Sequence, residues 1–98
     1  MTLTEKQRKH LRGLAHGLKP VVMIADAGLT EGVLRETERA LHDHELIKIR
    51  ARMSDRALRD ATLEDLARRT GSSLVTRIGH VAVLYRPRPD KTGLVIPD

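Results

Sequence analysis

The sequence VVMIADAGLT, residues 21–30, joins a short apolar run to the start of a helix-like pattern. The run at residues 21–24 is rich in β-branched residues and favours a strand that is buried on both faces, in the middle of a sheet with helices nearby. Thr30 can cap the helix that follows. A helix that begins here directs its unpaired N–H groups and the positive end of its dipole outward, which suits an anion such as a nucleic-acid phosphate.

A helix is also predicted before this junction. Thr4 and Gln7 form a capping-box pattern, and leucine and alanine then recur at helical spacing until about Gly17. Pro20 interrupts the pattern. The helix after the junction has one apolar face and should end near His44.

Residues 46–53, with the sequence LIKIRARM, alternate between apolar and cationic side chains. This period of two predicts a half-exposed strand whose outer face is a row of three cations: Lys48, Arg50 and Arg52. The cations could contact phosphates, or they could protect an edge strand from pairing with another sheet. The sequence leaves both interpretations open.

The remaining elements are a third helix and a hairpin. The helix should begin at Ser54 or Asp55 and end at Gly71, where a left-handed conformation is favoured. Two β-rich runs, residues 73–78 and 81–86, flank a short turn that begins with glycine, which is the pattern of an antiparallel hairpin.

The order α-β-α-β-α-β-β predicts a single α/β sandwich, in which helices pack against a four-stranded mixed sheet. We expect residues 1–87 to form this domain. Residues 88–98 contain proline, glycine and charged residues without periodicity, so they should form an irregular C-terminal tail.

The composition favours a polyanionic partner. The 98 residues include 18 Lys and Arg against 13 Asp and Glu, a formal net charge of +5, although such charge can also merely solvate a surface. The absence of cysteine excludes disulfides and thiolate sites. Because the N-terminus is polar and every apolar run is short, we expect a cytoplasmic protein with no membrane partner.

Aromatic side chains are nearly absent from the sequence. It has no Phe or Trp, and Tyr85 is its one aromatic residue. This argues against the modules that stack nucleic-acid bases on aromatic side chains. Binding to a nucleic acid would therefore depend on backbone contacts, charge and shape.

The first predicted helix concentrates positive charge on its polar face. Lys6 and Lys9 are three residues apart, Arg8 and Arg12 are an i,i+4 pair of like charge, and Lys19 follows in the connector. Like charges this close lower stability in the absence of a ligand. We therefore expect this face to contact phosphates, although helix faces rich in Lys and Arg are often only solvated.

Catalytic and metal sites are not indicated. Residues 42–45, HDHE, are of ligand type, but helical neighbours at i and i+2 project to different sides. We find no serine, histidine and acid trio in a known context and no phosphate-binding P-loop. We expect no cofactor, metal, small-molecule substrate or enzymatic activity. A protein-interaction module with generic nucleic-acid affinity and an RNA-processing enzyme stay open as alternatives.

Several stretches of the sequence resemble one known family. They are LTEKQRKHLRGLAHGLKP (3–20), VVMI (21–24), GLTEGV (28–33), HELIK (44–48) and residues 79–87. In this order they are similar to the bacterial YhbY-type proteins, stand-alone members of the CRM-domain family, which is named for chloroplast RNA splicing and ribosome maturation.

This resemblance implies an RNA-binding fold similar to the C-terminal domain of bacterial translation initiation factor three. It also implies association with structured ribosomal RNA of the large-subunit precursor during ribosome assembly. We expect the protein to act there as a monomer.

Family members carry a G-x-x-G loop between the first strand and the second helix, similar to the RNA-contacting loop of KH domains. Here the motif falls on Ala25, Asp26, Ala27 and Gly28. Ala25 would be strained if the first glycine requires positive φ, but it is a mild obstacle if the glycine only admits the RNA backbone. Asp26 should repel phosphate unless it caps an N–H group or binds a cation. We therefore expect weaker or differently oriented RNA contact than a full motif would give.

Overall fold

The elements of the fold follow the predicted order. The computed structural model describes residues 2–89 and 95–97, in which there are three helices and four strands. They are α1 (Glu5–Ala15), β1 (Pro20–Ile24), α2 (Glu31–His44), β2 (Leu46–Ala51), α3 (Arg56–Thr70), β3 (Ser73–Ile78) and β4 (Val81–Tyr85). β2 ends two residues earlier than predicted, and β4 ends one residue earlier.

The four strands form one mixed sheet in the order β1-β2-β4-β3. β1 and β2 are parallel, whereas β4 is antiparallel to both of its neighbours. Gly79 begins the turn between β3 and β4 with a φ of +59°, a conformation that glycine adopts without strain. The predicted α/β sandwich with its mixed sheet and final hairpin is therefore confirmed.

The predicted position of the first strand is wrong. β1 is an edge strand, not a central one, because it pairs with β2 alone in the described sheet. One face of β1 is buried, but Val21 and Met23 on the other face remain 52% and 49% exposed. A run of apolar residues thus did not indicate burial on both faces here.

The edge-strand interpretation of the cationic row is wrong for the same reason. β2 lies inside the sheet, hydrogen-bonded to β1 on one side and to β4 on the other. Its cations therefore cannot protect a sheet edge. Lys48 and Arg50 instead extend from the face opposite to Ile47 and Ile49, which are buried.

The helices cover the two faces of the sheet unequally. α2 and α3 pack on one face around a large buried cluster that includes Ile24, Ile49, Leu63 and Leu84. α1 packs on the other face, where Leu11 and Ala15 join a smaller cluster with Leu46, Val83 and Tyr85. Because Leu46 and Tyr85 are register partners at one end of the sheet, α1 covers that end and leaves the other end open.

The helix ends follow the sequence signals. The Thr4 hydroxyl accepts from the Gln7 N–H, and the Gln7 side chain accepts from the Thr4 N–H, which completes the predicted capping box. Thr30 and Asp55 cap α2 and α3, and Gly71 ends α3 in the left-handed conformation. Among the described residues, no helix has both the length and the apolar character that a membrane span requires.

Two segments that follow β4 contact the helices. The Arg88 guanidinium donates to the carbonyls of His42 and Asp43 at the end of α2. Residues 95–97 lie against α1, where the Gln7 amide donates to the Pro97 carbonyl at 2.9 Å and Ile96 packs on the smaller cluster. Residues 90–94 and 98 of the predicted tail lie outside the described residues, so the division at residue 87 stays a prediction.

Tyr85 should titrate differently in the folded and unfolded states. Its burial, and secondly the nearby Glu45 carboxylate, raises the pKa of the phenol above its usual 10.0. Because the folded state then holds the proton more tightly, this contribution to stability is complete below about pH 10 and is lost as the pH rises through the folded-state pKa. Tyrosinate absorbance should therefore appear at higher pH in the folded protein than in urea. An identical midpoint in both states would contradict this environment.

Candidate functional site

The loop between β1 and α2 is a hydrogen-bonded turn that ends at glycine. The Gly28 N–H donates to the Ala25 carbonyl at 2.9 Å, and the Thr30 N–H donates to the Gly28 carbonyl at 3.1 Å. Gly28 has a φ of +76°, and Thr30 then caps α2 by accepting from the Val33 N–H. The turn thus presents the N-terminus of a 14-residue helix to solvent.

Alanine in place of the first loop glycine causes no backbone strain. Within residues 2–89 and 95–97, the non-glycine residue with positive φ is Glu45, so Ala25 has an ordinary backbone conformation. Ala25, Asp26 and Ala27 are all exposed. Backbone strain at Ala25 is therefore excluded. The remaining effect of alanine is that its methyl group keeps a ligand slightly farther from the backbone than glycine would.

Asp26 adds negative charge to this loop. Its side chain is exposed and makes no hydrogen bond or ion pair with the part of the chain that the structure describes. Asp26 would repel a phosphate less if it capped an N–H group or bound a cation. Neither interaction is present among the described residues. A phosphate would have to approach the loop from the side of Gly28.

Three cations of α1 are exposed and unpaired. Leu11 and Ala15 face the sheet, which places Lys6 and Lys9 on the opposite side of the helix and Arg12 along its flank. None of the three cations forms an ion pair or side-chain hydrogen bond with another described residue. Their positive charge is therefore available to a ligand.

Arg8 has a structural role that the sequence did not reveal. Its guanidinium donates to the carbonyls of Leu74 and Val75 at 2.6 and 2.7 Å, at the point where the pairing of β3 with β4 is irregular. A longer contact of 3.9 Å joins it to Glu5. Arg8 thus fastens α1 to an edge strand through its Nη1 group.

The cations of β2 extend the positive surface across the open face of the sheet. Lys48 and Arg50 lie on the same face as α1, and Lys19 lines a shallow groove with Lys48 at the end of that helix. The Arg52 N–H donates to the Ile24 carbonyl at 2.7 Å, immediately before the loop. A line of cations therefore leads from α1 to the loop, and we call this set the cationic face: Lys6, Lys9, Arg12, Lys19, Lys48, Arg50 and Arg52.

Ion pairs on the opposite side of the sheet neutralise several other arginines. Arg69 pairs with Asp65 at 3.0 Å, Arg77 with Glu64 at 3.0 Å, and Arg86 with Glu38 at 2.9 Å. Arg68 also contacts the Asp65 carboxylate. In contrast, no side chain of the cationic face has an acidic partner among the described residues. Unpaired cations are therefore most numerous on the side of α1, although Arg39 of α2 and Arg56 of α3 also have no ion pair among the described residues.

Metal chemistry finds no support in the described residues. No group of three or more histidine or acidic side chains in that part of the chain could hold a metal ion. His42 contacts its neighbour Asp43 at 3.4 Å and is otherwise exposed.

The sequence interpretation missed the apolar side chains beside the cationic face. Met23 and Ile78 are 49% and 70% exposed on the open end of the sheet. No signal in the sequence could have placed them there, because strand order and the reach of α1 decide which apolar residues remain uncovered.

Comparisons with known proteins agree with this fold. The family model for the CRS1 / YhbY (CRM) domain matches residues 3–86. A probable RNA-binding protein of Pseudomonas aeruginosa is 48% identical over 93 residues, which cover 93% of this chain and 89% of the relative. An RNA-binding protein of Haemophilus influenzae is 50% identical over 86 residues, which cover 88% and 87% of the two chains.

A solved structure has the same fold. The solution structure of a Staphylococcus aureus protein, described as a candidate RNA-binding protein, superposes with a TM-score of 0.85 at 31% identity. The match covers 98% of this chain and all of the other. The described helices and strands are therefore arranged as in that protein.

Removal of the Arg8 guanidinium should lower stability. Arg8→Met keeps the aliphatic stem but leaves two carbonyls without their charged donor, so the free energy of unfolding should fall by about 1–2 kcal/mol. The matched control is Lys9→Met, which removes an unpaired charge and should change stability by less than about 0.5 kcal/mol. Urea denaturation measures both variants. Equal effects would contradict the structural role of Arg8.

Exchange of glycine and alanine should lower stability at both ends of the loop, for different reasons. Gly28→Ala places a side chain at positive φ and should cost about 1–2 kcal/mol of stability. Ala25→Gly relieves no strain and should cost about 0.5–1 kcal/mol, because it makes the unfolded chain more flexible. Thermal unfolding of both variants tests this, and stabilisation by Ala25→Gly would show that alanine is strained there after all.

Proposed function

Since the chain belongs to the CRS1 / YhbY (CRM) domain family, we propose that it binds structured RNA through the cationic face and the loop at residues 25–28. The names of the relatives from P. aeruginosa and H. influenzae support RNA as the ligand. The observation that carries the proposal is the unpaired state of seven cations on one side of the molecule. Phosphates neutralise such a surface and release their counterions on binding.

Each part of the surface has a distinct task in this proposal. Lys6, Lys9 and Arg12 neutralise phosphates along α1 and orient the domain on the RNA. Arg8 acts indirectly, because its bonds to β3 hold α1 in position on the sheet. Lys19 and Lys48 continue the path at the end of α1.

The loop receives the RNA backbone at the far end of this path. The N-terminus of α2 offers its positive dipole, and Gly28 leaves room for close approach. The Ala25 methyl group limits that approach without straining the loop, and the Asp26 carboxylate repels phosphate. The loop therefore contributes less to affinity than the helix does.

Selectivity in this proposal comes from RNA shape. Contacts to phosphates position a protein without reading sequence, and the A-form helix is recognised chiefly by its shape and its 2′-hydroxyl groups. A preference for RNA over DNA of equal length is therefore expected, with little dependence on base sequence in duplex regions.

The RNA that we propose is that of the large-ribosomal-subunit precursor in the cytoplasm. This part of the proposal rests on the similarity of residues 3–20, 28–33 and 44–48 to YhbY-type proteins. The protein would bind there as a monomer, without catalysis, during assembly of the subunit.

Charge reversal on α1 tests the proposed surface. Lys9→Glu with Arg12→Glu should weaken binding to structured ribosomal RNA and reduce the slope of log affinity against log salt by about 1–2, because two phosphate contacts are lost. Fluorescence anisotropy across a salt series provides both quantities. DNA of the same length serves as the competing polyanion.

The matched control reverses two arginines on the other side of the sheet. Arg68→Glu with Arg69→Glu makes the same change in net charge on α3, where both arginines contact Asp65. This control should alter affinity much less than the α1 variant and leave the salt slope nearly unchanged. Equal losses in the two double variants would reduce the interaction to net charge and contradict a defined surface.

A further inference from the structure

The open end of the sheet carries a row of side chains that crosses all four strands. Met23 of β1 is the register partner of Arg50 of β2. Arg50 is paired in turn with Val81 of β4, and Val81 with Ile78 of β3. Because register partners lie on the same face and strands are about 4.8 Å apart, the row is about 14 Å long. We call these four side chains the exposed row.

The exposed row is open to solvent although three of its members are apolar. Met23 is 49% exposed and Ile78 is 70% exposed, while Val81 is partly exposed. The neighbouring residue on the same face of β4, Val83, is only 3% exposed because α1 covers it. The exposure therefore results from the position of α1 at the other end of the sheet face and not from the pleat of the sheet.

Positive charge surrounds these apolar side chains. Arg50 lies within the row, Lys48 precedes it on the same face of β2, and Arg52 is exposed just after the strand ends. None of the three cations has an ion-pair partner in residues 2–89 or 95–97. The four strands contain no acidic residue, and Asp26 lies in the adjacent loop, so this face favours a partner that brings negative charge.

We propose that the exposed row binds unpaired nucleotides of an RNA strand. Bases lie against Met23, Val81 and Ile78 and stack on the planar guanidinium of Arg50, while their phosphates face Lys48 and Arg52. This inference rests on the RNA binding proposed above and adds the form of the RNA at this part of the surface. The adjacent loop, which begins directly after Ile24, would receive the backbone of the same strand.

The chemistry of the row favours an unpaired strand over a duplex. In a duplex the faces of the bases are stacked inside the helix, so a duplex would bring phosphates and sugars against apolar side chains. An unpaired base has an exposed π-face, which covers aliphatic groups and stacks on arginine. Because the one aromatic residue, Tyr85, is buried beneath α1, Arg50 supplies the only planar side chain of the row.

A second copy of this chain does not suit the row. Face-to-face contact between two copies would oppose Lys48, Arg50 and Arg52 with the same cations, without an acidic strand residue to neutralise them. An RNA strand supplies the apolar surface and the negative charge together.

The test compares binding of two RNAs of equal length, one without secondary structure and one fully paired. Met23→Ser with Ile78→Ser should weaken binding of the unpaired RNA roughly five- to tenfold, because base contacts are lost. Binding of the duplex should change less than about twofold, and the salt slope of both RNAs should stay the same because no charge is removed. Fluorescence anisotropy at fixed ionic strength measures the affinities.

Arg50→Lys is the second variant, because it keeps the positive charge but removes the planar guanidinium group. It should also weaken binding of the unpaired RNA and leave duplex binding and salt slope unchanged. The matched control for the serine substitutions at Met23 and Ile78 is Leu58→Ser, which removes an apolar side chain of similar exposure, 55%, on α3. That control should leave the affinity for both RNAs unchanged, and circular dichroism verifies that all variants are folded.

Three outcomes would overturn the inference. They are equal losses for paired and unpaired RNA, no loss for either, and a change from dimer to monomer in light scattering on Met23→Ser with Ile78→Ser, which would identify the row as an interface between copies. If the unaltered protein binds duplex RNA with a steep salt slope while the row variants have no effect, the proposed function stands and this inference fails. If it binds neither RNA, both fail.

Discussion

The position of α1 at one end of the sheet is the constraint on which the surface of this protein depends. Leu11 and Ala15 bury one end of the sheet face together with Leu46, Val83 and Tyr85, and Arg8 fastens the helix to the main chain of β3. The remaining part of that face, with Met23 and Arg50, has no helix above it. Because α1 covers only the end of the face at Leu46 and Tyr85, the row and the cations beside it stay open to solvent.

Electrostatics follow from the same arrangement. On the side of α2 and α3, several arginines form ion pairs with carboxylates. Each exposed pair contributes between a few tenths of a kcal/mol and about 1 kcal/mol to stability. On the side of α1, like charges are close together, and Lys6, Lys9 and Arg12 have no acidic partner among the described residues. Their mutual repulsion slightly opposes folding, and phosphates would relieve it. A surface of this kind favours a polyanion over a neutral partner.

Local signals in the sequence were sufficient to predict the elements and much of their arrangement. The capping box at Thr4, the cap at Thr30 and the left-handed Gly71 depend on neighbouring residues, and the alternation in β2 correctly separated Ile47 and Ile49 from the cations. The edge position of β1 could not be predicted in this way, because an apolar run is compatible with burial on one face or on both. The role of Arg8 was equally hidden, since its acceptors are 66 and 67 residues further along the chain. The effect of alanine at position 25 could not be predicted either, because only the backbone conformation shows whether glycine is required there.

The central claim is that RNA contacts the side of the molecule that carries α1 and the open sheet face. Amide chemical-shift changes on addition of structured RNA to the isotope-labelled protein test it most directly, because they report every backbone position at once. We expect the changes to concentrate on α1, on the open end of β1 and β2, and on residues 25–31, with little change on the outer faces of α2 and α3. Changes that concentrate on α3 around Asp65, with none on α1 or the loop, would contradict the claim.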